Sequence, residues 1–222
     1  MKNDYYKRNL RSVYNTIADH FSKTRSDLWP ELQEFLPYIS DKDHVIDIGC
    51  GNGRLLKLLT AKSCTYLGID QSEELLKEAT RLWPTYAFEL ADMSIYHYGR
   101  DRFHDAFFIA SFHHLASHDE QLKVLKRIHA ALKSEGHLFI TVWNLWQRKY
   151  QKYIQKKPYH HSYIPWQKGG EIYKRFYYAF QKKELVALCK EAGFKILESW
   201  YSDGSSRVTA KTGRNICLIA QK

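Results

Sequence analysis

At 222 residues the chain is long enough for one hydrophobic core, and it carries a formal net charge of +10. No apolar run approaches the ~20 residues of a membrane span. Met1-Lys2-Asn3-Asp4 leads into no signal-peptide core, and Cys50, Cys64, Cys189 and Cys217 have no paired spacing. These features argue against a membrane protein, a disulfide framework and a structural zinc site, and a cytoplasmic setting is expected.

Leu10, Val13, Tyr14, Ile17, Ala18 and Phe21 recur at helical spacing and predict an amphipathic helix over 10–21. A second helix is expected from Asp27 to Tyr38, entered through Trp29-Pro30. HVIDIG (44–49) reads as a strand, followed by a glycine-rich turn and a helix from about Arg54 to Lys62. CTYLGID (64–70) is a second strand; Ser72 caps the helix after it, with Glu73 and Glu74 in the first turn. YAFELAD (86–92) and DAFFIAS (105–111) read as strands three and four. Ser117 to Glu120 fits a capping box before a helix bearing Leu122, Leu125, Ile128 and Leu132. HLFITVW (137–143) is the fifth strand. A helix over 182–192 closes at Gly193, and FKILESWY and NICLIAQ supply two last strands.

Alternating strands and helices predict an α/β sandwich with a mostly parallel sheet. Residues 144–180 break the alternation; they are too long for an ordinary loop, so a functional or mobile segment is expected there. Counted along the sequence, residues 145–195 hold 12 Lys/Arg against 3 Asp/Glu, nearly all of the surplus charge. A basic stretch concentrated in this way attracts polyanions. It also interleaves its cations with Trp146, Tyr150, Tyr153, Tyr159, Tyr163, Trp166 and Tyr173, the mixture of charge and stacking surface that unpaired RNA requires. A small-molecule lid with solvated lysines is the alternative.

VIDIGCGNGRLL (45–56) is a strand, then Gly49, Gly51 and Gly53 at alternate positions, then a helix. Glycines permit the tight turn and the close approach of a ligand to the backbone. The dinucleotide fingerprint needs a different spacing, and position 54 is arginine. Asp47 precedes the first glycine by two. Asp70 ends the second strand, where a carboxylate can accept from both ribose hydroxyls of a nucleoside. Asp92 and Met93 follow the third strand, an acid and an apolar neighbour suited to an adenine edge.

Residues 44–143 thus resemble the cofactor half of the class I S-adenosylmethionine-dependent methyltransferases. The resemblance implies a Rossmann-like sandwich on a seven-stranded sheet whose last strand is antiparallel. It also implies S-adenosylmethionine bound by Asp47, Gly49, Gly51, Gly53, Asp70, Gln71, Asp92 and Met93, with no metal. One domain is expected: a helical cap over 1–40, the cofactor core over 44–143, a substrate-side insertion over 144–180, and a closing helix and strands over 181–222.

HFSKTRSDLWP (20–30) resembles the segment that opens the tRNA wobble-uridine methyltransferases, which esterify a 5-carboxymethyl group. Phe112-His113-His114-Leu115, Ile164-Pro165-Trp166, Arg175 to Phe180, and Arg214-Asn215 resemble further elements of that family. Tyr178 and Ile216 depart from its pattern. The resemblance implies His113 and Arg25 as catalytic groups, and His20, Trp29, His114, Trp166, Arg175, Tyr177, Arg214 and Asn215 on the acceptor side. One of the two histidines should face the pocket, because successive residues leaving a strand point to opposite sides. The implied substrate is the anticodon loop of tRNA, and some stand-alone members use a small zinc-binding activator protein. A small-molecule O- or N-methyltransferase and a non-catalytic RNA-binding module remain the alternatives.

Overall fold

A computed structural model describes residues 2–157 and 159–222. Its main sheet is built from β1 (His44–Ile48), β2 (Thr65–Asp70), β3 (Ala87–Leu90), β4 (Phe103–Ile109), β5 (Leu132–Trp143), β8 (Lys195–Ser202), β9 (Arg207–Val208) and β10 (Asn215–Gln221). The order is β3-β2-β1-β4-β5-β10-β8-β9, and β10 runs antiparallel to both β5 and β8. That is the expected parallel sheet with an antiparallel last strand. The two-residue β9 adds an eighth member that the sequence pattern does not announce.

Side chains alternate across a strand, so adjacent residues of β4 enter different cores. Phe107 packs with Phe35 of the 3-10 helix Pro30–Tyr38 and with Phe139 of β5. Phe108 points the other way, to Val124 and Leu125 of α4 (His118–Ala131) and Leu185 of α6 (Lys182–Glu191). Both phenylalanines are fully buried, each a contribution of roughly 1.5–3 kcal/mol from apolar area alone. Helices on both faces therefore fix which strand ends remain open, and those are the carboxyl ends of β1, β2 and β4.

Several elements differ from expectation for local reasons. The first helix, α1, runs Lys2–Thr24, longer than its apolar stripe. The second is a 3-10 helix opening at Pro30 and containing Pro37, which has no amide to donate to an α-helical ladder. After the glycine turn only Leu56–Leu59 is α-helical (α2), because the surrounding amides bond three residues back, as Leu56 does to Gly53 and Leu58 to Leu55. α3 spans Glu73–Leu82, with the Ser72 side chain accepting from the Leu75 amide as foreseen. β5 starts at Leu132, and a register shift against β4 between Phe103 and Asp105 absorbs the bend at Glu135, which sits at φ 61°.

The stretch 144–180 is an ordered substructure. After the short α5 (Arg148–Gln151) it forms a hairpin, β6 (His161–Lys168) paired antiparallel with β7 (Glu171–Tyr178), outside the main sheet. Gly169 and Gly170, both at positive φ, make the two-residue turn. Trp166 on β6 packs against Val13 and Ile17 of α1, so hairpin and helix form one roof beside the strand ends. No helix among the described residues is long and apolar enough to cross a membrane.

Candidate active site

Under that roof lies a cleft lined by the turn after β1, the ends of β2 and β4, α1 and β7. Its floor is the glycine turn. Gly49 sits at φ 73°, and a Cβ there would lie 2.4 Å from the Ser111 Cβ, so only glycine lets the ends of β1 and β4 close together. The Ser111 hydroxyl donates to the Ile48 carbonyl across the same junction. Gly51, at φ 57°, faces the opening: a Cβ there would meet only Phe21, at 3.7 Å, and would project where a ligand must pass.

Asp70 holds the turn in shape. Its Oδ2 accepts the Gly51 amide at 2.9 Å and its Oδ1 accepts the Ser72 amide at 2.8 Å. A carboxylate has about four acceptor directions, so acceptor capacity remains for a hydroxyl of a bound nucleoside. Burial raises the Asp70 pKa, and the backbone amides of Ser72, Gly51 and Gln71 oppose the shift. Beside it Asp47, 2% exposed, accepts from the Tyr66 hydroxyl at 2.9 Å, while its Oδ1 has no partner. Burial pushes the Asp47 pKa up to about 7, an anion short of a counter-charge. Leu75, Ala91, Met93, Ile109 and Leu115 supply apolar walls, and Gln71 and Asp92 lie between them.

These groups fit S-adenosylmethionine: an open glycine cradle, a hydroxyl-accepting carboxylate, an unpartnered Asp47 oxygen for an ammonium, and an apolar slot for adenine. Gly53 stands outside the cleft; a Cβ there would lie 2.9 Å from Trp83, so this glycine serves packing beneath the turn.

The opposite wall is cationic and aromatic. Arg175 of β7 is 3% exposed, and its guanidinium lies 4.7 Å from the Trp166 ring, 5.3 Å from Tyr177 and 5.7 Å from Trp143. Burial works against its charge, but the Tyr177 and Tyr14 hydroxyls more than offset that, and its pKa rises. The guanidinium of Arg25, half-buried just past the end of α1, lies 5.0 Å from the centre of the same Trp166 ring. Burial and the neighbouring Arg175 charge both lower its pKa. Among the described residues neither guanidinium has a carboxylate within salt-bridge distance.

His113 and His114 do not simply leave a strand. β4 ends at Ile109, and both lie in a 3-10 turn, Phe112–His114, so strand alternation does not govern them. His114 lines the cleft, whereas His113 is 1% exposed behind it, stacked on Tyr177 at 4.4 Å and accepting the Trp143 amide at Nδ1. Burial, with Arg175 nearby, pushes the His114 pKa down to about 3. It is therefore a neutral imidazole at physiological pH and not a cationic donor. Nδ1 contacts the Phe176 carbonyl at 2.7 Å and so must carry the proton. Nε2 is then the acceptor, and the Tyr14 hydroxyl donates to it at 3.0 Å.

His20 and Trp166 also stand behind the wall. The Trp166 indole donates to His20 Nδ1 at 3.1 Å, fixing the ring that both arginines face. Arg214 and Asn215 lie farther out, in a second cavity that shares Arg25, Trp29, Arg54 and Trp143 with the first. Tyr14, Arg54, Ser111 and Trp143 are wall residues that the sequence reading did not single out as site residues. Tyr14 carried the one available signal, as the hydroxyl-bearing member of an apolar helical stripe. Among the described residues no cluster of His, Cys, Asp or Glu could hold a metal ion.

The doubly covered sheet, the glycine turn and the carboxylate at the tip of β2 define a class I methyltransferase. A family model described as "Methyltransferase domain" matches residues 20–199, and the chain belongs to that family. It is similar to a protein of Schizosaccharomyces pombe named tRNA (carboxymethyluridine(34)-5-O)-methyltransferase, 29% identical over 90% of this chain and 95% of that one. A Saccharomyces cerevisiae protein of the same name is 29% identical over 71% of this chain; the match spans 56% of that longer protein. Among solved structures, a SAM-dependent methyltransferase from Methanosarcina mazei matches with a TM-score of 0.72 at 21% identity, covering 88% of this chain and 98% of that one. A methyltransferase of Haloferax volcanii, solved as a complex with the Trm112 methyltransferase activator, matches with a TM-score of 0.70 at 16% identity over 96% of each chain.

Proposed function

We propose that this methyltransferase esterifies the 5-carboxymethyl group of a modified wobble uridine in tRNA, in the cytoplasm. One observation carries the reading: Arg25 and Arg175 converge on the acceptor wall with no carboxylate partner among the described residues. A buried and a half-buried cation without an anion make an anion site, and the acceptor of an ester-forming methyl transfer is itself a carboxylate.

S-adenosylmethionine, when bound, supplies an electrophilic methyl group. A carboxylate is nucleophilic at neutral pH, so no side chain has to remove a proton as the oxygen–methyl bond forms. Arg25 and Arg175 hold the carboxylate, and the aromatic wall of Trp143 and Tyr177, backed by Trp166, excludes water from it. Neutral His114, locked between Tyr14 and the Phe176 carbonyl, keeps a third positive charge from competing for the carboxylate. The basic hairpin and α5 suit the surrounding RNA backbone. The names of the S. pombe and S. cerevisiae relatives support this substrate, and the Haloferax complex supports an activator partner of the Trm112 kind.

The test is transfer of labelled methyl from S-adenosylmethionine to tRNA lacking wobble esters, with and without an activator, read by nucleoside mass spectrometry. Label in 5-methoxycarbonylmethyluridine is expected. Label that appears only in small metabolites, or methyl transfer that persists after the substrate has been digested with ribonuclease, would replace this reading with a small-molecule methyltransferase.

A further inference from the structure

Outside the methyl-transfer cleft lies a second cavity with an unexplained acid. Arg25, Trp29, Arg54 and Trp143 line both spaces and form the throat between them. Beyond the throat the outer cavity is bounded by Glu31, Tyr150, Gly204, Arg214 and Asn215. Glu31 is only 4% exposed. Its Oε1 accepts the Asn215 amide at 2.6 Å, and its Oε2 has no hydrogen-bond partner. A Cβ placed on Gly204 would come 3.8 Å from Glu31 Oε2 and 3.9 Å from Arg214 Nη1. A fixed acceptor and a cationic donor therefore flank the same side-chain-free position, without bonding each other.

Resting on the proposed substrate, we propose that Glu31 is the residue that selects a uracil ring, accepting its N3–H while Arg214 donates to an adjacent ring carbonyl. Uracil presents acceptor, donor and acceptor along its pairing edge, and a carboxylate beside a guanidinium complements two of those three. The ring geometry agrees. The C5 substituent points away from the C2–N3 side, so a carboxymethyl group reaching inward through the throat leaves N3–H in the outer cavity. Trp29 and Trp143 at the throat offer aromatic faces to the ring. A cytosine ring has a lone pair at N3, which a buried carboxylate repels. A site built to bond one N–H group discriminates strongly against a ring that lacks it, because its own acceptor is then left unpaired. Asn215 holds Glu31 in place and is a positioning residue.

The experiment compares two anticodon stem-loop RNAs, identical except that one carries 5-carboxymethyluridine at the wobble position and the other its N3-methylated form. Wild-type protein is expected to methylate the first with a kcat/KM roughly 100-fold above the second. In Glu31→Gln the Asn215 contact can persist through the amide oxygen, and the amide nitrogen then faces N3–H. The parent substrate should fall by about 10- to 100-fold, mainly in KM, and the ratio between the two RNAs should collapse to within about threefold. Affinity for S-adenosylmethionine should not change. If wild-type protein uses both RNAs equally, or if Glu31→Gln keeps the full ratio, Glu31 does not read N3–H. If wild-type protein methylates neither RNA, with its activator present, the proposed substrate itself falls. The wild-type ratio requires no variant to fold.

Discussion

The Tyr14 hydroxyl donates to His114 Nε2 at 3.0 Å, joining residues 100 positions apart across the mouth of the methyl-transfer cleft. The bond fixes the imidazole, whose other nitrogen is committed to the Phe176 carbonyl. Tyr14→Phe removes the donor and leaves a buried Nε2 unsatisfied, at a cost of about 1–3 kcal/mol. Turnover should drop roughly 10- to 100-fold while S-adenosylmethionine affinity stays within about threefold. Single-turnover rates and calorimetric binding separate the two; an equal loss in both would mean that Tyr14 serves the fold and not the acceptor side.

Asp70 bonds the Gly51 and Ser72 amides and faces the cleft with its remaining lone pairs. Asp70→Ala should abolish cofactor binding at concentrations that saturate wild type, with circular dichroism unchanged. Normal affinity in this variant would move the nucleoside away from the tip of β2.

Arg25→Ala and Arg175→Ala should each lower kcat by roughly 100-fold, the scale expected when a preorganised charge is removed from a reacting group. Arg175 is packed among Trp143, Trp166 and Tyr177, so its loss should also lower the melting temperature, whereas half-buried Arg25 should leave stability nearly intact. Steady-state kinetics together with thermal melts test this, and an unchanged rate for Arg25→Ala would remove it from the acceptor site.

Asp47 predicts a pH dependence. Burial raises its pKa to about 7 in the folded chain, against roughly 4 when unfolded. The folded state therefore holds a proton that the unfolded state has released between those values. Its contribution to stability is full below pH ~4 and is lost as pH rises through about 7, with a slope of at most roughly 1.4 kcal/mol per pH unit. Buried His113 and His114, held below the ordinary imidazole range, act with the opposite sign over the same window, so the readout is a difference between two proteins. In cofactor-free protein, Asp47→Asn should gain more melting temperature over wild type at pH 8 than at pH 5.5. Buried Asp105, raised to about 6, acts with the same sign as Asp47 and is present in both proteins. A ligand ammonium favours the ionised carboxylate, so S-adenosylmethionine should bind more tightly at pH 8 than at pH 6; calorimetry at both checks it.

The candidate cofactor side was legible because its chemistry is local. Gly49, Gly51 and Asp70 advertise a turn and a strand tip within 22 residues, and strand periodicity fixes where they point. The acceptor side is assembled from distant pieces. Nothing near Tyr14 in the chain signals His114, and nothing near Glu31 signals Asn215. Residues 144–180 hid their hairpin because β6 and β7 bury aromatic and polar groups such as Trp166, Arg175 and Ser162, not an alternating aliphatic set. The same fact separated His113 from His114: the chain leaves β4 in a 3-10 turn, and its own sequence does not mark the change.

The unpartnered arginine pair has a practical consequence for handling the protein. Two like charges held near one another without a counter-ion leave the resting enzyme electrostatically frustrated, and any small oxyanion that enters relieves the repulsion. Sulfate, phosphate and citrate buffers should therefore raise its melting temperature and inhibit it competitively with RNA, while chloride at equal ionic strength does much less. Conditions chosen to make this protein robust in the tube would be the ones that silence it.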